Sequence, residues 1–169
     1  IMDSLFNAHW LRCDAPFGKG TTSQEKVWFT SVSEHACTDA GLVFTRSFDC
    51  RKQVRRAQLQ ITALGVYTAH INGERVGDFV LTPGWTSYTK RLQYQSYDIT
   101  GMLKAQNRID VNVCKGWRFL GCKKEQMTDS FSDRATALIA AIDIEYDDSS
   151  RETVVTDHSW LVAESKTRY

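Results

Sequence analysis

Two aromatic-centred segments carry the residues of this chain that could do chemistry: TPGWTSY at 82–88 and KGWRFLG at 115–121. Each sets a tryptophan beside a glycine in what reads as a turn at a strand end. The chemistry on offer is recognition rather than bond breaking. An indole presents a flat apolar face to the C–H side of a sugar ring and an N–H to a hydroxyl. Loops at one rim of a rigid scaffold are where binding residues collect. Trp85, Tyr88, Gly116 and Trp117 are therefore the carbohydrate-binding candidates. The competing reading makes both tryptophans plugs that close the ends of the scaffold.

Other chemistries find little to work with. Glycoside cleavage by paired acids needs two carboxyls about 5 to 9.5 Å apart. Asp129, Asp133, Asp143, Glu145, Asp147 and Asp148 are available, but no spacing singles out a pair, so no catalytic residue is expected. His9, His35, His70 and His158 are scattered, and His35 with Cys37 is an isolated coincidence, so no zinc site is expected. A calcium site of loop oxygens stays open from a single sequence. The basic run RKQVRR at 51–56 reads as the solvated start of a strand rather than a polyanion patch. The chain balances 21 basic against 20 acidic residues for a formal net charge of +1. That balance predicts no nucleic-acid or acidic-membrane partner.

The five cysteines (Cys13, Cys37, Cys50, Cys114, Cys122) are odd in number and form no CxxC pair. Free, mostly buried thiols are expected, with a single Cys114–Cys122 disulfide as the alternative. No run of eighteen apolar residues predicts a membrane helix. The opening IMDSLFNAHWLRCDAP has no basic region followed by an apolar one, so no signal peptide is visible; a removed signal would leave the same picture. A soluble chain is expected, its compartment open between cytoplasm and a periplasmic or secreted location.

The elements that must position the two tryptophan loops are strands. In LVFTRSF (42–48), Leu42, Phe44, Arg46 and Phe48 share a face; in AQLQITA (57–63), Ala57, Leu59, Ile61 and Ala63 do. VYTAHIN and RVGDFVL are joined through Asn72-Gly73, the strongest short hairpin signal. LQYQSYDI (92–99), RIDVNV (108–113), ALIAAIDIEY (137–146) and RETVVTD (151–157) read as further strands, and HSWLVAESKTRY as a strand with an extended lead-out. Thr100 is expected to cap one helical turn, GMLK. With no helix of three turns available for crossovers, a parallel sheet is excluded. The fold predicted is all-β: an antiparallel β-sandwich, jelly-roll or galactose-binding-like, over 42–169. Residues 1–41 read as an irregular lead-in, or as part of a neighbouring domain. The last stretch has no terminating signal, as expected of a segment of something longer.

Residues 57–100, AQLQITALGVYTAHINGERVGDFVLTPGWTSYTKRLQYQSYDIT, closely resemble the N-terminal β-sandwich region of bacterial α-L-rhamnosidases. That region's pattern is ARLxITALGVYxAxINGxRVGDxxLxPGWTSYxKRLxYQxYDIT. The likeness continues through Gly101-Met102-Leu103, Gly116-Trp117, the strand 137–146 and VVTDHSWLVAES at 154–165. It implies a sandwich in which Asn72-Gly73 sets strand register. It also implies a parent glycoside hydrolase whose (α/α)6 barrel, further along the chain, removes terminal α-L-rhamnose with a general acid and a general base by inversion. This segment then resembles the non-catalytic accessory domain, with that barrel as its same-chain partner. Some members have a sandwich of this kind that binds rhamnose with the help of calcium. Where the pattern has a small polar residue before Gly-Trp, this chain has Lys115, whose charge would oppose a cation there. The alternative is a stand-alone lectin-like or protein-interaction module.

Overall fold

The computed structural model describes residues 4–11, 25–26, 40–87, 90–116 and 136–168. Its strands are β1 (Glu25–Lys26), β2 (Ala40–Asp49), β3 (Val54–Leu64), β4 (Val66–Ile71), β5 (Glu74–Arg75), β6 (Gln95–Asp98), β7 (Gln106–Cys114), β8 (Ala137–Tyr146), β9 (Arg151–Val155) and β10 (Leu161–Arg168). All their pairings are antiparallel. They form a six-stranded sheet, β1-β10-β2-β7-β4-β5, and a four-stranded sheet, β6-β3-β8-β9. The two sheets make the sandwich that the alternation predicts. No helix among the described residues is long and apolar enough to cross a membrane.

The core lies between the sheets and is built from the predicted faces. Leu42, Phe44 and Phe48 of β2 and Ile109, Val111 and Val113 of β7 meet Ala57, Leu59 and Ile61 of β3 and Leu138, Ile142 and Ile144 of β8. The four-stranded sheet departs from simple alternation, because Gln60, Thr62, Ile139 and Ala141 on its other face are also buried. A 3-10 turn at Ser4–Asn7 lies on that face, where Ser4 Oγ donates to Asp143. Leu11 pairs with Leu138 along the margin of β8 that β9 has left, and Thr62 Oγ1 donates to the Gln93 carbonyl at 2.6 Å. Cys50 and Cys114 are buried free thiols, so Cys114 is not disulfide-bonded. Cys13, Cys37 and Cys122 lie outside the described residues.

The Asn72-Gly73 turn has positive φ at both residues, 54° and 84°, as a primed hairpin turn requires. Asn72 also does what spacing could not reveal. Its amide nitrogen donates to the Met102 carbonyl and to Asn107 Oδ1, and its Oδ1 accepts from the Arg108 N–H. Asn107, buried, in turn bonds both backbone groups of Lys104 and reaches the Cys50 sulfur. Two local expectations are corrected. The second arm of the hairpin stops at Arg75, because Gly77 takes φ 68° against the Tyr97 ring and turns the chain out of the sheet. The short helical turn is a 3-10 turn at Thr100–Met102 whose cap position is Ile99, without a side-chain cap bond. The Thr100 hydroxyl instead accepts from the Ala57 N–H and donates to Asp98.

Candidate functional site

The chain that leaves the sheet at Gly77 builds an exposed apolar surface. Phe79, Val80, Leu81, Trp85, Leu92 and Tyr94 are 39% to 74% exposed. Such exposure would be unremarked for single residues but not for six along one loop. The backbone beneath them is tied down. Tyr67 N–H donates to the Thr82 carbonyl at 2.9 Å, Thr82 Oγ1 donates to the Tyr67 carbonyl at 2.8 Å, and Gln95 Nε2 donates to the Pro83 carbonyl at 3.1 Å. Arg75 reaches the Phe79 carbonyl at 2.7 Å, and the Phe79 ring tilts over Tyr97 with centroids 6.5 Å apart. Below, the Tyr67 hydroxyl donates to Gln95 Oε1 at 2.8 Å, and burial pushes the Tyr67 phenol far above its usual range. The result is an apolar ledge held on a polar foundation at the β4–β6 side of the sandwich.

Of the four sequence candidates, Trp85 stands on this ledge and is 73% exposed. Tyr88 and Trp117 lie outside the described residues. Gly116 follows β7, half-buried, and a Cβ there would meet Val66 Cγ1 at 2.5 Å and the Val66 nitrogen at 2.9 Å. Glycine at 116 therefore lets the end of β7 cross the β3–β4 corner at backbone distance. The described part of the Gly116 loop does not fit calcium: Lys115 brings a cation, and calcium wants several oxygen ligands, usually with carboxylates among them. Among the described residues no three His, Cys, Asp or Glu side chains are grouped to hold a metal ion.

A second feature lies at the opposite margin of the four-stranded sheet. A cleft of about 240 Å³ opens between β2 and β9, lined by Arg46, Phe48, Asp49, Arg51, Glu152 and Asp157 with residues 153–155. The basic run at 51–56 is thus divided: Arg51 lines the cleft, Lys52 pairs with Asp148 at 2.6 Å, and Arg55 with Glu145 at 3.5 Å. Burial alone would raise the Asp157 carboxyl. The Ser159 hydroxyl and N–H, with the Arg46 and His158 charges, outweigh it and hold the carboxyl below its usual value. A group depressed on folding stabilises the protein above its unfolded pKa, and that contribution is lost as pH falls through the folded one. Asp157→Asn is therefore expected to lower Tm at neutral pH and to converge with the parent chain well below about pH 4. Parallel Tm curves across that range would show that Asp157 contributes nothing.

Residues 52–169 match the family model described as the alpha-L-rhamnosidase N-terminal domain. The chain belongs to this family. An alpha-L-rhamnosidase of Streptomyces avermitilis is 41% identical over 113 residues, which are 66% of this chain and 11% of that protein. The crystal structure of native alpha-L-rhamnosidase from Aspergillus terreus is similar with a TM-score of 0.73 and 28% identity, over 97% of this chain and 17% of that one. A Pleurotus ostreatus lectin in its apo form matches with a TM-score of 0.52 and 27% identity, over 75% of this chain and 30% of the lectin. The chain spans 11% to 15% of the length of the curated alpha-L-rhamnosidases it matches.

Within this rhamnosidase N-terminal domain, sequence reasoning missed most of the ledge. Phe79, Val80 and Leu81 read as the end of a hairpin strand. Three consecutive apolar residues nevertheless break the two-residue period, and that is the signal that could have found them. Arg46 carried a similar signal, a guanidinium in register with Leu42, Phe44 and Phe48 on an inward face.

Proposed function

We propose that this chain is the non-catalytic N-terminal sandwich of a longer hydrolase acting on terminal α-L-rhamnose. Its ledge at 79–94 docks against the (α/α)6 catalytic region of the same polypeptide. The observation that carries this reading is the ledge itself: Phe79, Val80, Leu81, Trp85, Leu92 and Tyr94 in water, on a loop anchored to Tyr67, Thr62 and Arg75. Leaving this much apolar surface in solvent costs about 25 cal/mol per Å², and covering it recovers that free energy. Apolar patches on anchored backbone mark interaction surfaces. The much greater length of the related alpha-L-rhamnosidases supports a same-chain partner. The structural role is to brace the catalytic region; no residue of this chain is assigned to bond cleavage.

A second role is carried by Trp85 and by the likeness to a lectin. In it the sequence candidates Trp85, Tyr88, Gly116 and Trp117 contact a rhamnose-containing carbohydrate, and the domain works as a lectin-like module. Hydrogen exchange separates the two. Amides of residues 79–94 are expected to exchange at least tenfold more slowly in the full-length parent than in this segment. Equal rates would sink docking. A saturable L-rhamnose titration abolished by Trp85→Ala would then make the ledge a sugar platform.

A further inference from the structure

We propose that the cleft between β2 and β9 is a separate binding site for one neutral, polyhydroxylated molecule of about monosaccharide size. Its volume of about 240 Å³ gives room for one small ring. The lining decides the chemistry. Two guanidiniums, Arg46 and Arg51, are interleaved with three carboxylates, Asp49, Glu152 and Asp157. A small anion drawn to Arg46 would meet the carboxylates, and a small cation would meet the guanidiniums. A hydroxyl both donates and accepts, so a molecule with several hydroxyls satisfies both signs without carrying a charge. Phe48 and Val154 line the same space and offer apolar surface to ring C–H groups.

The protein groups are set for such a guest. Arg46 Nε is buried without a hydrogen-bond partner, while its NH1 is held by the Ser159 carbonyl at 3.2 Å. The Ser159 bond fixes the guanidinium at the cleft wall, where its remaining N–H groups can donate to a hydroxyl. Glu152 Oε2 accepts from the Tyr146 hydroxyl at 2.6 Å, which fixes the carboxylate and leaves Oε1 as an acceptor. Asp157 is oriented by the Ser159 N–H at 2.8 Å. Preorganised groups of this kind lose little on binding. The cleft is at the β9 margin and the ledge at the β6 margin of the same sheet, so the site does not depend on the ledge.

The test is amide-resolved NMR titration of this chain with L-rhamnose, D-galactose and myo-inositol, beside glycine and acetate as charged controls. At least one polyol is expected to shift amides at 46–51 and 152–157 saturably. Binding should weaken at least tenfold in Arg46→Gln and several-fold in Arg51→Gln, and stay unchanged in Trp85→Ala. Arg51 is exposed, so its variant reports even where Arg46→Gln perturbs folding. The proposal is overturned by shifts confined to 79–94, by acetate or glycine binding as well as the polyols, or by no saturable shift with any of the three.

Discussion

Trp160→Ala is expected to remove a large share of this domain's stability. Trp160 is the largest fully buried side chain among the described residues, 1% exposed, at the turn that carries the chain from β9 to β10 and so from one sheet to the other. Truncating a buried tryptophan costs about 3 to 5 kcal/mol through lost burial and the cavity left behind. The indole N–H also donates to the Val155 carbonyl at 2.9 Å. Alanine leaves that carbonyl without its partner, which adds about 1 kcal/mol. Against a total of about 5 to 15 kcal/mol for a domain, the loss moves the urea midpoint far down or abolishes the transition. Trp160→Phe keeps most of the volume and loses the hydrogen bond, so it should fall between the two. A Trp160→Ala variant unfolding within about 1 kcal/mol of the parent would show that the inter-sheet crossing is held elsewhere. Because Val155 also lines the β2–β9 cleft, the same variant should loosen that site.

How far the sequence foretells this structure depends on whether a feature is written in local period or in distant contact. The faces of β2, β7 and β8 follow from a two-residue alternation that water enforces along each strand. The Asn72-Gly73 turn follows because both central positions need positive φ. What escaped is non-local. The burial of Gln60 and Thr62 depends on the Ser4–Asn7 turn and on Gln93, one of them more than fifty residues away in the chain. The ledge escaped because Gly77 ends the hairpin arm only through its packing on Tyr97, a contact no window of sequence contains. Arg46 was legible as a residue and illegible as a site, since two of the three carboxylates of its cleft, Glu152 and Asp157, come from β9 and the turn after it. Trp85, singled out from its Pro-Gly turn, is exposed, whereas Gly116 turns out to have a packing requirement of its own.

Gly65→Ala is expected to destabilise the domain by about 2 to 5 kcal/mol, combining overpacking with backbone strain. Gly65 joins β3 to β4 with φ 141°, and a Cβ there would lie 2.4 Å from the Cys114 carbonyl oxygen. The oxygen cannot yield, because it is main chain in the β4–β7 ladder at Val66↔Cys114. Gly116→Ala strikes the same corner from the other side, through the Val66 nitrogen, and should cost about 1 to 3 kcal/mol. Gly101 has nothing within 4 Å of the corresponding position, so Gly101→Ala is the control and should stay within about 0.5 kcal/mol of the parent. Equilibrium urea unfolding of the three variants gives the ranking, and a Gly65→Ala cost no larger than that of Gly101→Ala would refute the corner. The ranking also bears on function. Gly65 and Gly116 set where β7 hands the chain on to Lys115. A loss of sugar binding in Gly116→Ala therefore identifies a ligand contact only if stability at the Gly65 corner is unchanged. If both fall together, glycine 116 acts through the backbone crossing and not as a ligand contact.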